Sequence, residues 1–172
     1  MNTTFVPVAG ACHQGIEALK DVPHGVAYSD CVRVDLSDHT LLFLSGKTAS
    51  KNGALTGRTM LEQARQVIEN TRASIERQGG SLRDVVRLRI FVTQLDANSI
   101  RDVHAARREY FEPDRFPAST LVEVAGFVRA GGLIEMEADV VLPRSDCQVA
   151  FSPALASPDR SIEFASSVRP GA

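Results

Sequence analysis

The chain lacks most of the devices by which a sequence announces its chemistry. Among its 172 residues only three are cysteine, Cys12, Cys31 and Cys147. An odd count at wide spacing argues against a disulfide framework. No CxxC pair occurs, and the four histidines, His13, His24, His39 and His104, show no HxxxH spacing, so a structural zinc site is not expected. An excess of one charge is missing too: 19 basic against 21 acidic residues leave a formal net charge of -2, with the basic residues scattered along the chain. Such a surface creates no long-range field to recruit nucleic acid or an acidic membrane. No run approaches the roughly 18 apolar residues of a membrane span. The opening MNTTFVPVAGACHQG has neither the basic start nor the apolar middle of a secretory signal. The expectation is a soluble cytoplasmic protein.

Familiar catalytic motifs fail as well. Gly46-Lys47-Thr48 looks like the end of a phosphate-binding loop, but that motif needs a glycine where the chain has Leu41. There is no GxSxG elbow and no GxGxxG turn. Cys31 follows Ser29-Asp30 with nothing nearby to lower its pKa, so it reads as a small packed residue and not as a nucleophile.

What is present is the patterning of one globular domain. Composition is ordinary, 44% hydrophobic and 23% charged. A chain of this length buries enough apolar surface to fold without metal or disulfide support. Residues 1–24, with Pro7 and Pro23, read as irregular. CVRVDL (31–36) and TLLFLS (40–45) alternate as strands close enough to pair in a hairpin. GKTASKNGALTG (46–57) reads as a loop. Met60, Ala64, Val67, Ile68, Thr71 and Ile75 then form one helical stripe, ended by Gly79-Gly80. DVVRLRIFVT (84–93) is a strand in which Val86, Leu88, Ile90 and Val92 point one way, with Arg87, Arg89, Phe91 and Thr93 on the other side. A second helix, capped by Asn98 or Ser99, runs to about Phe111 with Ile100, Val103 and Tyr110 inward. STLVEVAGF (119–127) and LIEMEADVVL (133–142) are strands around a glycine-bearing turn. The order β-β-α-β-α-β-β gives an α+β fold, one sheet with two helices on one face. The domain spans 1–143, and 144–172 is a Ser/Pro/Ala-rich tail.

Three segments, taken together, resemble the RidA/YjgF family of reactive-intermediate deaminases. Tyr28-Ser29 and the later Ser45-Gly46 match a GPYS-type opening and an SGQ-type turn. EQARQVIENTRASIERQGGSLRDVVRLRIFVTQL (62–95) follows the family's helix-to-strand progression. FPASTLVEVAGFVRAGGLIEMEADVV (116–141) is similar to its signature of Pro-Ala-Arg-Ser, then VEV, then EIEA. The resemblance covers roughly 22–143. It implies a chorismate-mutase-like mixed sheet, assembled as a homotrimer around a central barrel, with small-molecule pockets between subunits. It implies hydrolysis of an enamine or imine such as 2-aminoacrylate to ammonia and a keto acid, with no metal or cofactor. A glutamate orients the attacking water and an arginine grips the substrate carboxylate.

Carried onto this chain, the water-orienting acid is Glu135, with Glu137 on the same face as a second candidate. Tyr28 and Ser45 match pocket-lining positions. His104 falls where many members have asparagine, Thr120 on the signature serine, and Leu121 where several have cysteine. Ser119 falls on the signature arginine. A guanidinium offers a bidentate charged fork whose hydrogen bonds contribute about 1.5–3 kcal/mol each, against one neutral donor from serine. The substrate therefore lacks the carboxylate, or another cation holds it. Arg89 and Arg129 are the candidates, Arg89 alternatively being paired with an acid on an adjacent strand. A non-catalytic ligand-binding or regulatory trimer is the competing reading. RNA cleavage, also attached to the family, is disfavoured by the acidic balance.

Overall fold

The structure, a computed structural model, describes residues 27–143 together with the backbone course of 4–6 and 13–19. Cys12, His24, Cys147 and the tail 144–172 lie outside the described residues. One seven-stranded mixed sheet runs through the molecule in the order β1-β2-β3-β4-β9-β7-β8. Its strands are β1 (Thr4–Val6), β2 (His13–Leu19), β3 (Cys31–Leu36), β4 (His39–Thr48), β7 (Val85–Val92), β8 (Ala118–Glu123) and β9 (Ile134–Pro143). Only β7 and β8 run parallel; all other neighbours are antiparallel. A short hairpin of β5 (Ser50–Lys51) and β6 (Ala54–Leu55) stands beside the sheet.

Two helices lie on one side of the sheet, α1 (Met60–Glu76) against β4 and β9 and α2 (Ala97–Tyr110) against α1. The stripe read from the sequence is the buried one: Met60, Ala64, Val67, Ile68, Thr71 and Ile75 all face inward. They meet Leu42, Leu44, Leu88, Ile90, Val92, Ile134, Met136, Ala138 and Val140 from the sheet. Helix α1 starts in a capping box, with the Thr59 side chain accepting from the Glu62 N–H and Glu62 reaching back to the Thr59 N–H. Beyond its end Gly79 takes φ 83°, and the Gly80 N–H closes on the Ile75 carbonyl at 3.2 Å.

Several elements depart from the sequence reading. Residues 4–6 and 13–19 are strands, although this region reads as irregular. β2 lies against the free edge of β3, whose open backbone donors and acceptors outweigh weak local patterning. Gly46–Thr48 continue β4 instead of opening a loop, and Asn52-Gly53 turn the β5–β6 hairpin with φ 53° and 81°, both positive as its tight geometry requires. In β7 a register shift between Val85 and Arg87 turns Val85 into the core and leaves Val86 outside. Asp96 caps α2 by accepting from the Ser99 N–H at 2.7 Å, and Ile100 is exposed on the helix surface. The last two strands are not neighbours: β9 fills the centre between β4 and β7, and β8 takes the edge beyond β7.

The turn that delivers β9 is held by one buried amide. Gln63 of α1 donates to the Gly57 and Gly131 carbonyls, at 3.1 and 2.9 Å, and accepts from the Leu133 N–H at 2.8 Å. Gln63→Leu, which keeps the bulk and removes all three bonds, should destabilise the fold by roughly 2–4 kcal/mol, because buried backbone groups are left unsatisfied. A denaturant midpoint unchanged from the native chain would show that these bonds contribute nothing.

Candidate functional site

The candidate site residues divide between the two faces of the sheet. β9 alternates, with Ile134, Met136, Ala138, Val140 and Leu142 in the core and Glu135, Glu137 and Asp139 on the open face away from the helices. Glu135 stands opposite Thr48 on β4 and Phe91 on β7. Between Leu44 and Lys47, β4 carries one residue more than β9, and this bulge contains Ser45 and Gly46. The Glu135 carboxyl lies against the bare Cα of Gly46: a Cβ there would come within 2.1 Å of its Oε1. No described residue hydrogen-bonds the carboxyl, and burial, followed by the neighbouring Glu137 charge, raises its pKa above the ordinary carboxylate value.

The bulge also fixes the segment carrying Tyr28. The Ser45 hydroxyl donates to the Ser29 carbonyl at 2.6 Å and its N–H to the Asp30 carbonyl at 3.1 Å. The buried Lys47 ammonium pairs with the Asp30 carboxylate. Tyr28 itself is half exposed. Cys31, next along, is buried and its thiol is pushed up to about 11, mainly by desolvation, which fits a packed residue and not a nucleophile.

Arg89 lies on the open face opposite Glu137, and its guanidinium is engaged there. It holds Asp139 at 2.8 Å and Glu137 at 3.3 Å, so two carboxylates already compensate its charge. Arg129 donates to the Gly53 carbonyl at 2.7 Å and ties the turn before β9 to the β5–β6 hairpin. Thr120 is the register partner of Arg89 and shares the open face at the sheet edge.

The remaining candidates sit on the opposite side. Ser119 and Leu121 are the register partners of Leu88 and Ile90, both core residues, so they occupy the helix-side face of the β8 edge. His104 stands on the exposed side of α2, its pKa lowered by desolvation and then by Arg107 and Arg108. One chain therefore places Glu135 and Ser45 on one face and leaves Ser119, Leu121 and His104 on the other, with Tyr28 next to the Ser29 carbonyl that Ser45 holds. Two residues beside these sets were not among the sequence candidates. Gly46 was signalled by the glycine that ends the apolar run TLLFLS and by the Ser45-Gly46 match to the SGQ-type turn, but neither gave it a role beside Glu135. Arg107 was signalled by its place on the inward stripe of α2, four residues after Val103 and three before Tyr110.

Comparison with known proteins agrees with this architecture. The sequence model of the family described as Endoribonuclease L-PSP matches residues 21–142. Protein HMF1 of Saccharomyces cerevisiae is 30% identical over 80% of this chain and 95% of its own length. A RutC family protein of Pyrococcus abyssi is 32% identical over 64% of this chain and 83% of its own. Among solved structures, a member of the YjgF/YER057c/UK114 family from Mycobacterium tuberculosis superposes with a TM-score of 0.60 at 29% identity, covering 73% of this chain and 98% of that one. The chain belongs to this family, the RidA/YjgF family.

The perturbed acid makes a stability prediction. The folded Glu135 carboxyl keeps its proton to higher pH than it does in the unfolded chain, so its contribution is most favourable below the ordinary value of 4.5 and is lost as pH rises through the raised value. Glu135→Gln should therefore melt at a higher temperature than the native chain at about pH 7.5, with the gap closing below about pH 4. A gap independent of pH would show that the carboxyl is not desolvated.

Proposed function

We propose that the chain is a cofactor-free hydrolytic deaminase of small enamines or imines, working in clefts between the subunits of a homotrimer. The observation that carries this reading is Glu135: a half-buried carboxyl without a hydrogen-bond partner, in a space that only a glycine at position 46 leaves open. A raised pKa brings a carboxylate nearer to working pH, which suits it to hold and deprotonate a water. The water oxygen bonds to the imine carbon, the carbon–nitrogen double bond opens to a carbinolamine, and the protonated nitrogen leaves as ammonia, giving the carbonyl product. Tyr28, held by the Ser45 bulge, closes one side of the cleft with a hydroxyl donor.

Two observations support the inter-subunit cleft. Ser119, Leu121 and His104 lie on the face opposite Glu135, so a second copy is needed to bring the two sets together. The open face also exposes Phe43 and Val122 beside the half-buried Val32, Val34, Leu41, Phe91 and Val141, an apolar surface of the kind that oligomer contacts cover. The working unit is 1–143, placed in the cytoplasm. The serine at position 119 favours one second reading, a trimer that binds a small molecule without turning it over. The endoribonuclease in the family description is not carried over, since a net charge of -2 with scattered basic residues gives no track for an RNA backbone.

The test is ammonia release from freshly generated enamines and imines, with and without a carboxylate. Glu135→Ala should lower kcat/KM by about a hundredfold or more, the scale on which a positioned acid–base group acts. Gly46→Ala, which displaces the flexible Glu135 side chain and not the backbone, should fold yet show a comparable loss. No ammonia from any compound would transfer the site to the binding reading. Full activity in both variants would remove Glu135 from the chemistry.

A further inference from the structure

Arg107 is the one buried guanidinium among the described residues that no acid answers. It is 8% exposed, and its Nε is fully enclosed without a hydrogen-bond partner. Desolvation alone acts on its pKa, downward; no carboxylate charge offsets it. Three acids on or beside its own helix are committed elsewhere. Asp102 is paired with Arg101, Glu109 with Arg65 and Glu112 with Arg83. An unpaired buried cation is costly, and such a group persists where an anion from outside completes it.

Its position says where that anion comes from. The Arg107 guanidinium lies 6.0 Å from the centre of the Phe116 ring, and Phe116 is itself 44% exposed. That ring opens the run Phe116-Pro117-Ala118-Ser119, which carries the chain into β8 at the position where the family has its arginine. One turn back on α2 is His104, whose pKa is lowered by desolvation and then by the Arg107 and Arg108 charges. Through the Phe116 ring, Arg107 is placed beside the segment that leads into Ser119. Arg89 and Arg129, by contrast, are already engaged.

We infer that Arg107, reached from helix α2, is the cation that receives the carboxylate of an acidic enamine or imine, in place of an arginine at position 119. This assignment rests on the deaminase reading. It also removes the alternative that the lost arginine marks a carboxylate-free substrate. The anion is held from the helix, and Ser119 leaves the room into which the longer side chain reaches.

The test compares 2-aminoacrylate, which hydrolyses to pyruvate and ammonia, with acetone imine, the same skeleton without the carboxylate. Arg107→Met should raise KM for 2-aminoacrylate at least tenfold with kcat changed much less, and leave acetone imine unaffected, the pattern of a lost ground-state grip. Adding Ser119→Arg to that variant should restore KM, and Arg107→Lys should fall between. The melting temperature of Arg107→Met should equal or exceed that of the native chain, since an apolar side chain replaces an unpaired charge. Equal losses on both substrates, no change in KM, or a fall in melting temperature with loss of the oligomer would overturn the assignment, the last by making Arg107 the partner of an acid on another subunit. A native chain that deaminates neither compound ends the deaminase reading, and pyruvate binding by calorimetry then decides. Binding abolished by Arg107→Met keeps the anion site; no binding by the native chain removes it.

Discussion

The placement of β9 in the middle of the sheet is the constraint on which the rest depends. Strands are bonded to it on both sides, and every second residue, from Ile134 to Leu142, is pressed under α1. A slip of one residue would turn that whole set outward and bring Glu135, Glu137 and Asp139 into the core. No such register is tolerable, so the hydrophobic set of β9 and the exposure of its acids are a single fact. The fold thereby delivers three carboxyls to one face at fixed spacing, and Arg89 neutralises only two of them. The third stays unpaired where its carboxyl reaches the β4 bulge, which offers it a glycine instead of a partner.

That bulge links stability to chemistry. An extra residue in β4 interrupts the ladder, and a glycine in a strand contributes no packing. The same bulge gives the Ser45 hydroxyl its reach to the Ser29 carbonyl and places the Lys47 ammonium on Asp30, which together fix the approach to Tyr28. A regular β4 would be the more stable strand, but it would fill the space beside Glu135 and release the segment that frames it. The desolvation of Glu135 is a cost of the same kind, carried by the core packing on the other side of the sheet.

How much of this was legible in the sequence follows from the range of each interaction. Helix α1, β4 and β9 could be read because their periodicity reports burial by neighbours that are the same along the whole element. The N-terminal strands could not: their pairing with β3 is decided by an unoccupied sheet edge, which leaves little mark on local composition. Val86 was misplaced because a bulge changes the phase of a strand without changing its residues. Glu135 was reachable, since alternation puts it opposite the core, but the cavity beside it depends on a residue 89 positions earlier across a bulged ladder. Arg107 was missed for a different reason: an arginine on an inward stripe reads as solvated, and only the packing of α2 shows it enclosed.

The two unpaired charges are of opposite sign and lie on opposite faces of the same sheet. Within one chain they cannot offset each other, and each lowers the stability of the fold that holds it. Selection for stability alone would replace both, Glu135 by glutamine and Arg107 by an apolar residue, with no cost to the core. On the proposed deaminase reading, an assembly in which the open face of one copy meets the β8 edge of another would bring the carboxyl and the guanidinium to a common molecule. A substrate carrying a carboxylate at one end and an electrophilic carbon beside it satisfies both charges together: the anion answers the guanidinium, and water at the carbon answers the carboxyl. A ligand with only one of these features would leave the other charge uncompensated, and binding would discriminate against it for the same reason that the empty site is destabilising.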